Sequence, residues 1–232
     1  MARLIKKRGK TNLTGLAGTL EFFTIKGETF FKTHTKRHKK SRSKKAVSGR
    51  SNFGSVVNLA KLINHVDELK QIWNNSKLKG RNAYQKMISY NMPLAYDGNL
   101  TIKNYFTFKG HRLDIPEFPL EENTLDFEFD LYGAIKPPLT IHIFYYLYNR
   151  KGPLNPIFLC FYDHIDITPE NAEKVRKTGD SNYVIKRKVD KKVTIYLQLY
   201  KDVVVLLAVT GTPLIANRKY WTNTVGFDIP LV

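Results

Sequence analysis

His34 and His38 are four residues apart, a spacing that sets two imidazoles on one helical face as metal ligands would be. They lie inside the run His34-Thr35-Lys36-Arg37-His38-Lys39-Lys40-Ser41-Arg42-Ser43-Lys44-Lys45, which has no acid and no large apolar side chain. A polycation repels a metal ion, and no carboxylate or thiolate is near in sequence. Solvated or phosphate-facing imidazoles are the better reading, and no metal site is expected. Asp163-His164-Ile165-Asp166 sets an imidazole between two carboxylates. On a strand Asp163 and His164 point to opposite faces, and spacing identifies no nucleophile, so a polar strand end is expected. Cys160 is the only cysteine, within Ile157-Phe158-Leu159-Cys160-Phe161, where a small buried hydrophobe is expected rather than a nucleophile.

Asp126, Glu128 and Asp130 alternate with apolar residues and form a row along one strand face. Side chains on one face of a strand stand ~6–7 Å apart, too spread to converge on Ca²⁺ without ligands from elsewhere. The row reads as a solvated outer face, or as an acidic interface for the basic segment of a neighbouring copy. Gly-rich phosphate loops, Gly-x-Ser-x-Gly elbows, His-Glu-x-x-His helices and paired cysteines are all missing. No catalytic residue and no cofactor is expected.

Charge is the strongest signal. The 232 residues carry a formal net charge of +18. Residues 1–50 hold 15 Lys and Arg against 2 acids, residues 51–92 hold 6 against 2, and residues 93–232 hold 17 against 16. So dense a set of like charges repels itself unless neutralised, which favours a polyanionic partner. The expected polyanion-binding residues are Lys36, Arg37, Lys39, Lys40, Arg42, Lys44, Lys45 and Arg50. Lys and Arg in such a run reach phosphate oxygens and do not read base edges, so binding to DNA or RNA would be non-specific and salt-sensitive.

The elements that carry these residues follow from periodicity. Thr19–Ile25 and Glu28–Thr33 read as two strands of a hairpin turned at Lys26-Gly27, with Gly15 and Gly18 marking a bend ahead of it. An isolated hairpin is marginal in water, so this one needs a partner surface. After the basic run, Ser48 or Ser51 caps a helix. Its apolar stripe is Phe53, Val56, Val57, Ala60, Ile63, Val66, Leu69 and Ile72 or Trp73, ended by Asn74-Asn75. A second helix from Arg81 to Tyr90 stops before Pro93, making a helical hairpin.

Strands are expected at Leu100–Phe108, Leu125–Leu131, Leu139–Tyr148, Ile157–Ile167, Tyr183–Val189, Val193–Tyr200 and Val203–Val209, the last two joined by a turn at Lys201-Asp202. Residues 169–180 read as a short exposed helix or loop. The fold class is therefore α+β: a β-hairpin, a basic segment and a helical hairpin, then an all-β sandwich, immunoglobulin-like in style. The charge change near Met92-Pro93 sets the expected domain boundary, giving a basic part over 1–92 and a sandwich over 93–232. No apolar stretch is long enough to span a bilayer, and no apolar region follows the basic N-terminus as in a secretory signal, so no membrane insertion is expected.

Gly15, Gly18, Ile25-Lys26-Gly27, the run Lys36 to Lys45, and Arg50-Ser51-Asn52-Phe53 entering a helix that ends near Leu69-Lys70-Gln71-Ile72-Trp73 form a pattern over residues 1–92. It resembles a family of small, uncharacterised, basic bacterial and phage-associated proteins, with a glycine-containing hairpin, a basic segment, an amphipathic helix and a β-rich tail. The resemblance implies a component of a tailed-phage particle or similar assembly, and no catalytic residue.

The expected function is thus that of a non-enzymatic structural protein, a tailed-phage virion component assembled in the bacterial cytoplasm. Its partners would be other copies of itself and neighbouring assembly proteins, with DNA or RNA bound non-specifically. The alternative is a cytoplasmic nucleic-acid-binding accessory protein; an enzyme ranks third. A fragment from Pro93 to Val232 is expected to melt cooperatively.

Overall fold

The computed structural model of the chain describes residues 2–7, 10–17, 20–25, 28–33, 43–118, 120–121, 124–131, 135–149, 158–170, 182–189, 191–213 and 220–231. The chain forms two compact units, Met1–Arg42 and Ser43–Val232. The boundary expected near Met92-Pro93 is corrected accordingly. It falls inside the second unit, because helices before it and strands after it share one core.

The first unit is a four-stranded antiparallel meander: β1 (Ala2–Lys7), β2 (Lys10–Ala17), β3 (Leu20–Ile25) and β4 (Glu28–Thr33). The expected hairpin is β3–β4, registered Phe22↔Phe31 and Phe23↔Phe30. Two strands precede it, so Gly15 lies within β2, opposite Phe22, rather than at a bend. Adjacent residues of a strand face opposite ways. Phe31 is 70% exposed and Phe30 is also exposed, stacked on Phe23 at 5.8 Å.

The second unit is α+β in three layers. Helices α1 (Lys44–His65), α2 (Asp67–Asn74) and α3 (Ala83–Asn91), then a 3₁₀ turn at Met92–Leu94, form the first layer. The middle layer is an antiparallel sheet ordered β12 (Tyr220–Trp221), β11 (Asp202–Pro213), β8 (Ile135–Tyr148) and β9 (Phe158–Ile167), with β13 (Val225–Pro230) also paired to β11. The third layer is a smaller sheet ordered β10 (Asn182–Lys188), β7 (Thr124–Leu131) and β5 (Leu113–Asp114), with β6 (Leu120–Glu121) on β7.

Strand periodicity decides what each face meets. Ile141, Ile143, Tyr145 and Leu147 of β8, with Val203, Val205 and Leu207 of β11, pack against Leu125, Phe127 and Phe129 of β7. The alternate residues Phe144, Tyr146, Val204, Leu206 and Ala208 pack against Val56, Leu59, Ile63, Leu69, Trp73 and Met87 of the helices. The two sheets thus form the expected sandwich core, but one outer face is covered by helices, which an immunoglobulin-style sandwich leaves to solvent.

Several elements differ from expectation, each for a local reason. Ser43 caps α1, its Oγ accepting from the Ala46 amide at 3.3 Å, so the helix starts before Ser48 and Ser51 and includes Lys44 and Lys45. The apolar stripe breaks at Val66, whose extended backbone ends α1; Asp67 and Glu68 then favour the positive N-terminal end of α2. Phe53, assigned to the stripe, is exposed. Val193–Tyr200 is not a strand: α4 (Lys191–Leu197) sets Val193 and Leu197 on the core side and leaves Ile195 exposed, a spacing of four rather than two. Leu100–Phe108 is irregular, its backbone held by side chains: Asn91 Oδ1 accepts from the Tyr105 amide at 2.6 Å and Thr224 Oγ1 from the Phe106 amide at 2.8 Å. Residues 171–181, most of the segment read as helix or loop, lie outside the described residues.

Leu69 has no exposed surface. Leu69→Ala is expected to lower stability by about 2–5 kcal/mol in chemical denaturation, because the cavity opens in a core built from two layers. A fragment spanning 43–232 should melt cooperatively. The Pro93–Val232 fragment should bind a hydrophobic dye, since Phe144, Tyr146, Val204 and Leu206 lose their cover.

Candidate functional site

Of the residues expected to bind a polyanion, Lys36, Arg37, Lys39, Lys40 and Arg42 lie outside the described residues, as do His34 and His38. Lys44, Lys45 and Arg50 lie on the first two turns of α1, all exposed. The first turn of α1 holds no acid. Cations at a helix N-terminus oppose the helix dipole, so local helix stability does not explain them.

The cationic surface continues past the expected residues. Residues 43–96, the helical layer with its connections, hold nine Lys and Arg against only Asp67 and Glu68. Lys61 is exposed on α1, and Lys77, Lys79 and Arg81 are exposed on the α2–α3 connection. Lys86 is the buried exception. Its Nζ donates to the carbonyls of Asn74 at 2.8 Å and Ser76 at 2.6 Å, capping the C-terminal end of α2, where a cation suits the dipole.

The acidic row lies on the other outer face of the unit. Along β7, Leu125, Phe127, Phe129 and Leu131 are buried, while Asp126, Glu128 and Asp130 point away from the inter-sheet core and are half-buried. Lys186 on β10 pairs with Asp126 at 3.0 Å, both groups being largely solvated, so the pair adds little to stability.

A polar chain crosses the helix-facing side of the central sheet. His142 on β8, 1% exposed, has Nδ1 2.8 Å from the Tyr162 hydroxyl of β9 and Nε2 2.8 Å from Thr210 Oγ1 of β11. Thr210 donates onward to Glu68 Oε2 of α2 at 2.8 Å. Because Thr210 donates to the carboxylate, it accepts from His142 Nε2–H, which leaves Nδ1 to accept from Tyr162. The four groups form one directed chain ending at a half-exposed carboxylate. Burial, then the nearby carboxylates of Glu68, Asp166 and Asp163, raise the Tyr162 phenol above its ordinary range and keep it a donor. A cleft of about 140 Å³ lined by Glu68, Thr140, Thr210 and Tyr220 adjoins the chain. The chain of hydrogen bonds ties α2, through Glu68, to three strands of the central sheet. The sequence carried one signal for it: His142 is the only histidine or charged residue in the apolar run Leu139–Tyr148.

The Asp163-His164-Ile165-Asp166 group diverges as strand geometry requires. His164 and Asp166 share the helix-side face 3.8 Å apart, both more than half exposed. Asp163 turns toward the smaller sheet, where Arg187 of β10 reaches it at 3.5 Å. Tyr145 is buried in that sheet–sheet core, and burial, with the Asp163 carboxylate, pushes its phenol above the ordinary range. The three side chains therefore do not converge on one reacting atom. Among the described residues no group of three or more His, Cys, Asp or Glu is placed to hold a metal ion, and no helix is long and apolar enough to cross a membrane.

No family model and no curated protein matches the chain. Among solved structures, the crystal structure of S. aureus TarS is similar over 53% of this chain and 25% of that one, with 10% identity and a TM-score of 0.23. The chain thus spans about a quarter of that protein's length. At that TM-score the likeness carries no argument about fold or function.

Two outcomes test this site's chemistry. Cys160 packs against the helix-side core, and burial pushes its thiol up to about 12. Alkylation by iodoacetamide at pH 8 should therefore be far slower in the folded protein than in denaturant. Tyr162→Phe leaves His142 Nδ1 buried without its donor and should lower stability by about 1–3 kcal/mol in a urea titration.

Proposed function

We propose that this chain is a non-enzymatic nucleic-acid-binding component of a larger assembly, holding phosphates with its basic run and with the outer surface of the helical layer. One observation carries the reading. The nine Lys and Arg among residues 43–96 face only two acids, and apart from Lys86, used as a helix cap, none is consumed in the core. The basic run of residues 36–45 leads directly into that layer, so arm and folded surface form one continuous cationic stretch of sequence. Such a surface releases counterions from phosphates and reads no base sequence.

A second reading has its own observation. The basic helical layer and the row Asp126, Glu128 and Asp130 occupy opposite outer faces of one unit. Copies stacked head to tail would bring unlike charges together, a heterologous contact that builds rings or filaments. The proposed setting is a tailed-phage particle assembled in the bacterial cytoplasm, an idea that rests on the resemblance of residues 1–92. A cytoplasmic accessory protein is the alternative setting.

A salt titration of DNA binding, run beside light scattering, tests these readings. Binding should weaken with a slope of ~0.7–0.9 in log K against log salt per phosphate engaged, whatever the sequence. Replacing Arg37, Lys40, Arg42 and Lys45 by Ala should flatten the slope by roughly one unit per lost contact. Replacing Lys77, Lys79 and Arg81 should flatten it further. Tight, salt-insensitive, sequence-selective binding would refute the phosphate reading. If the same arm substitutions instead dissolve an oligomer while DNA binding is weak throughout, the acidic face of a neighbour is the partner. A lone protomer at moderate salt favours the accessory protein over the particle component.

A further inference from the structure

A cleft of about 690 Å³ opens beside α1, lined among others by Ser51, Tyr96, Asp97, Asn99, Phe158 and Asp228. Its volume lies within the range of small-molecule sites. Tyr96 stands at its rim 78% exposed, although no core needs it there.

The turn that carries Tyr96 is built to hold it still. Tyr96 and Asn99 exchange backbone hydrogen bonds at 3.0 and 2.9 Å, and both central residues have positive φ, Asp97 at 45° and Gly98 at 85°. That is a type I′ turn, for which Asp-Gly is a preferred pair. The Asn52 side chain then clamps the turn to α1: Nδ2 donates to the Ala95 carbonyl at 3.0 Å, and Oδ1 accepts from the Gly98 amide at 2.6 Å. Ser55 and Tyr146 close the inner side through the Gly98 carbonyl and the Asn99 side chain. A large aromatic ring is thus displayed to solvent on a turn fixed from below.

The surroundings sort by charge. Asp97 and Asp228 line the cleft; Asp228 Oδ1 already accepts from the Tyr148 hydroxyl at 3.3 Å, and such carboxylates repel phosphate while their remaining lone pairs suit N–H donors. The cations lie outside it. Lys44 is two helical turns before Ser51 on the same face of α1, and exposed Lys103 follows the lining residue Ile102. Val47, half exposed, lies between Lys44 and Ser51 on that face. A ligand with a negative backbone and flat, donor-bearing side groups matches this pattern: backbone on the rim, flat group in the cleft. Duplexes hide their base faces in the stack, whereas an unpaired base offers its face to an aromatic ring.

Resting on the nucleic-acid reading above, we infer that the cleft between α1 and the Tyr96–Asn99 turn receives an unpaired nucleobase stacked on Tyr96, so that the chain prefers single-stranded to duplex nucleic acid. Tyr96 supplies the stacking face, Asp97 and Asp228 accept from base N–H groups, and Lys44 and Lys103 hold the flanking phosphates.

The test uses the full chain and fluorescein-labelled mixed-sequence DNA of about 20 nucleotides, single-stranded and as the duplex, at matched salt, followed by anisotropy. The single strand should bind more tightly. Tyr96→Ala should weaken single-strand binding about 5- to 150-fold, the range that loss of one stacked base produces. Tyr96→Phe should keep most of the affinity, since the ring remains. Neither variant should change duplex affinity or the salt slope, because no phosphate contact is lost, and an exposed turn residue leaves the core intact. Equal affinity for both strand forms, or a Tyr96→Ala protein unchanged toward the single strand, overturns the inference while leaving the phosphate reading standing. Absence of binding to either form overturns both.

Discussion

The central sheet must be dry on both faces, and the rest of the second unit answers to that requirement. Strands β8 and β11 pair over most of their lengths, from Asp202↔Tyr148 to Gly211↔Leu139. Ordinary antiparallel sheets leave one face to solvent and alternate apolar with polar residues. Here successive residues such as Phe144, Tyr145, Tyr146 and Leu147 are all buried, as are Val203 to Val209. Each face therefore needs its own cover. The smaller sheet supplies one, helices α1 to α3 the other, and neither layer is separable from the middle one. On the helix-facing side the buried polar groups are tied off, whereas the Tyr145 hydroxyl on the other side is buried without a hydrogen bond. His142 is hydrogen-bonded on both ring nitrogens, and Ser55 Oγ bonds the Gly98 carbonyl and lies 3.1 Å from the Tyr146 hydroxyl.

Much of this was legible in the sequence where one physical rule acted alone. The alternation of Leu125 to Leu131 is a half-buried strand and proved so. The apolar runs of β8 and β11 were read as strands and are strands, although a run buried on both faces does not say what covers it. Reading broke down where two rules competed. Val193, Ile195 and Leu197 fit a strand's alternation, but Val193 and Leu197 also fit one face of a helical turn, and tertiary packing chose the helix. The boundary at Met92-Pro93 followed charge. Charge reports the surface, however, while domain limits follow the core, and the helical layer differs from the sheets only outside. Of the candidate site, Lys44, Lys45 and Arg50 were readable from density of charge. Tyr96 was not, because nothing in a sequence distinguishes an aromatic ring held out in solvent from one that is buried.

Charge is sorted inside and outside the fold by a consistent logic. Lys86 is withdrawn from the surface and faces main-chain carbonyls at the end of α2, where the dipole welcomes it without an acidic partner. Arg187 links the two sheets by donating to the His164 carbonyl at 2.7 Å and reaching Asp163. The other cations of the helical layer lie at its surface, fully or partly exposed. Structural cations are few and capped; the rest form the field that an approaching polyanion meets.

The two glycines of α1 complete the account of that field. An added Cβ at Gly49 or Gly54 would meet nothing within 4 Å, so neither glycine is required by packing. Each lowers helix stability by about 1 kcal/mol relative to alanine. No residue of α1 before Ser55 is buried, whereas Ser55, Val56, Leu59, Ala60 and Ile63 beyond it are. Stability along α1 is therefore graded. From Asn52 on, where the side chain holds the Ala95 and Gly98 backbone and the core begins at Ser55, α1 opens only with the core, but its first two turns should open locally at smaller free energy, their amide hydrogens exchanging sooner. Lys44, Lys45 and Arg50 ride on those first two turns. The helix is a firm anchor with a yielding tip, able to follow the contour of a partner without disturbing the layers that hold it.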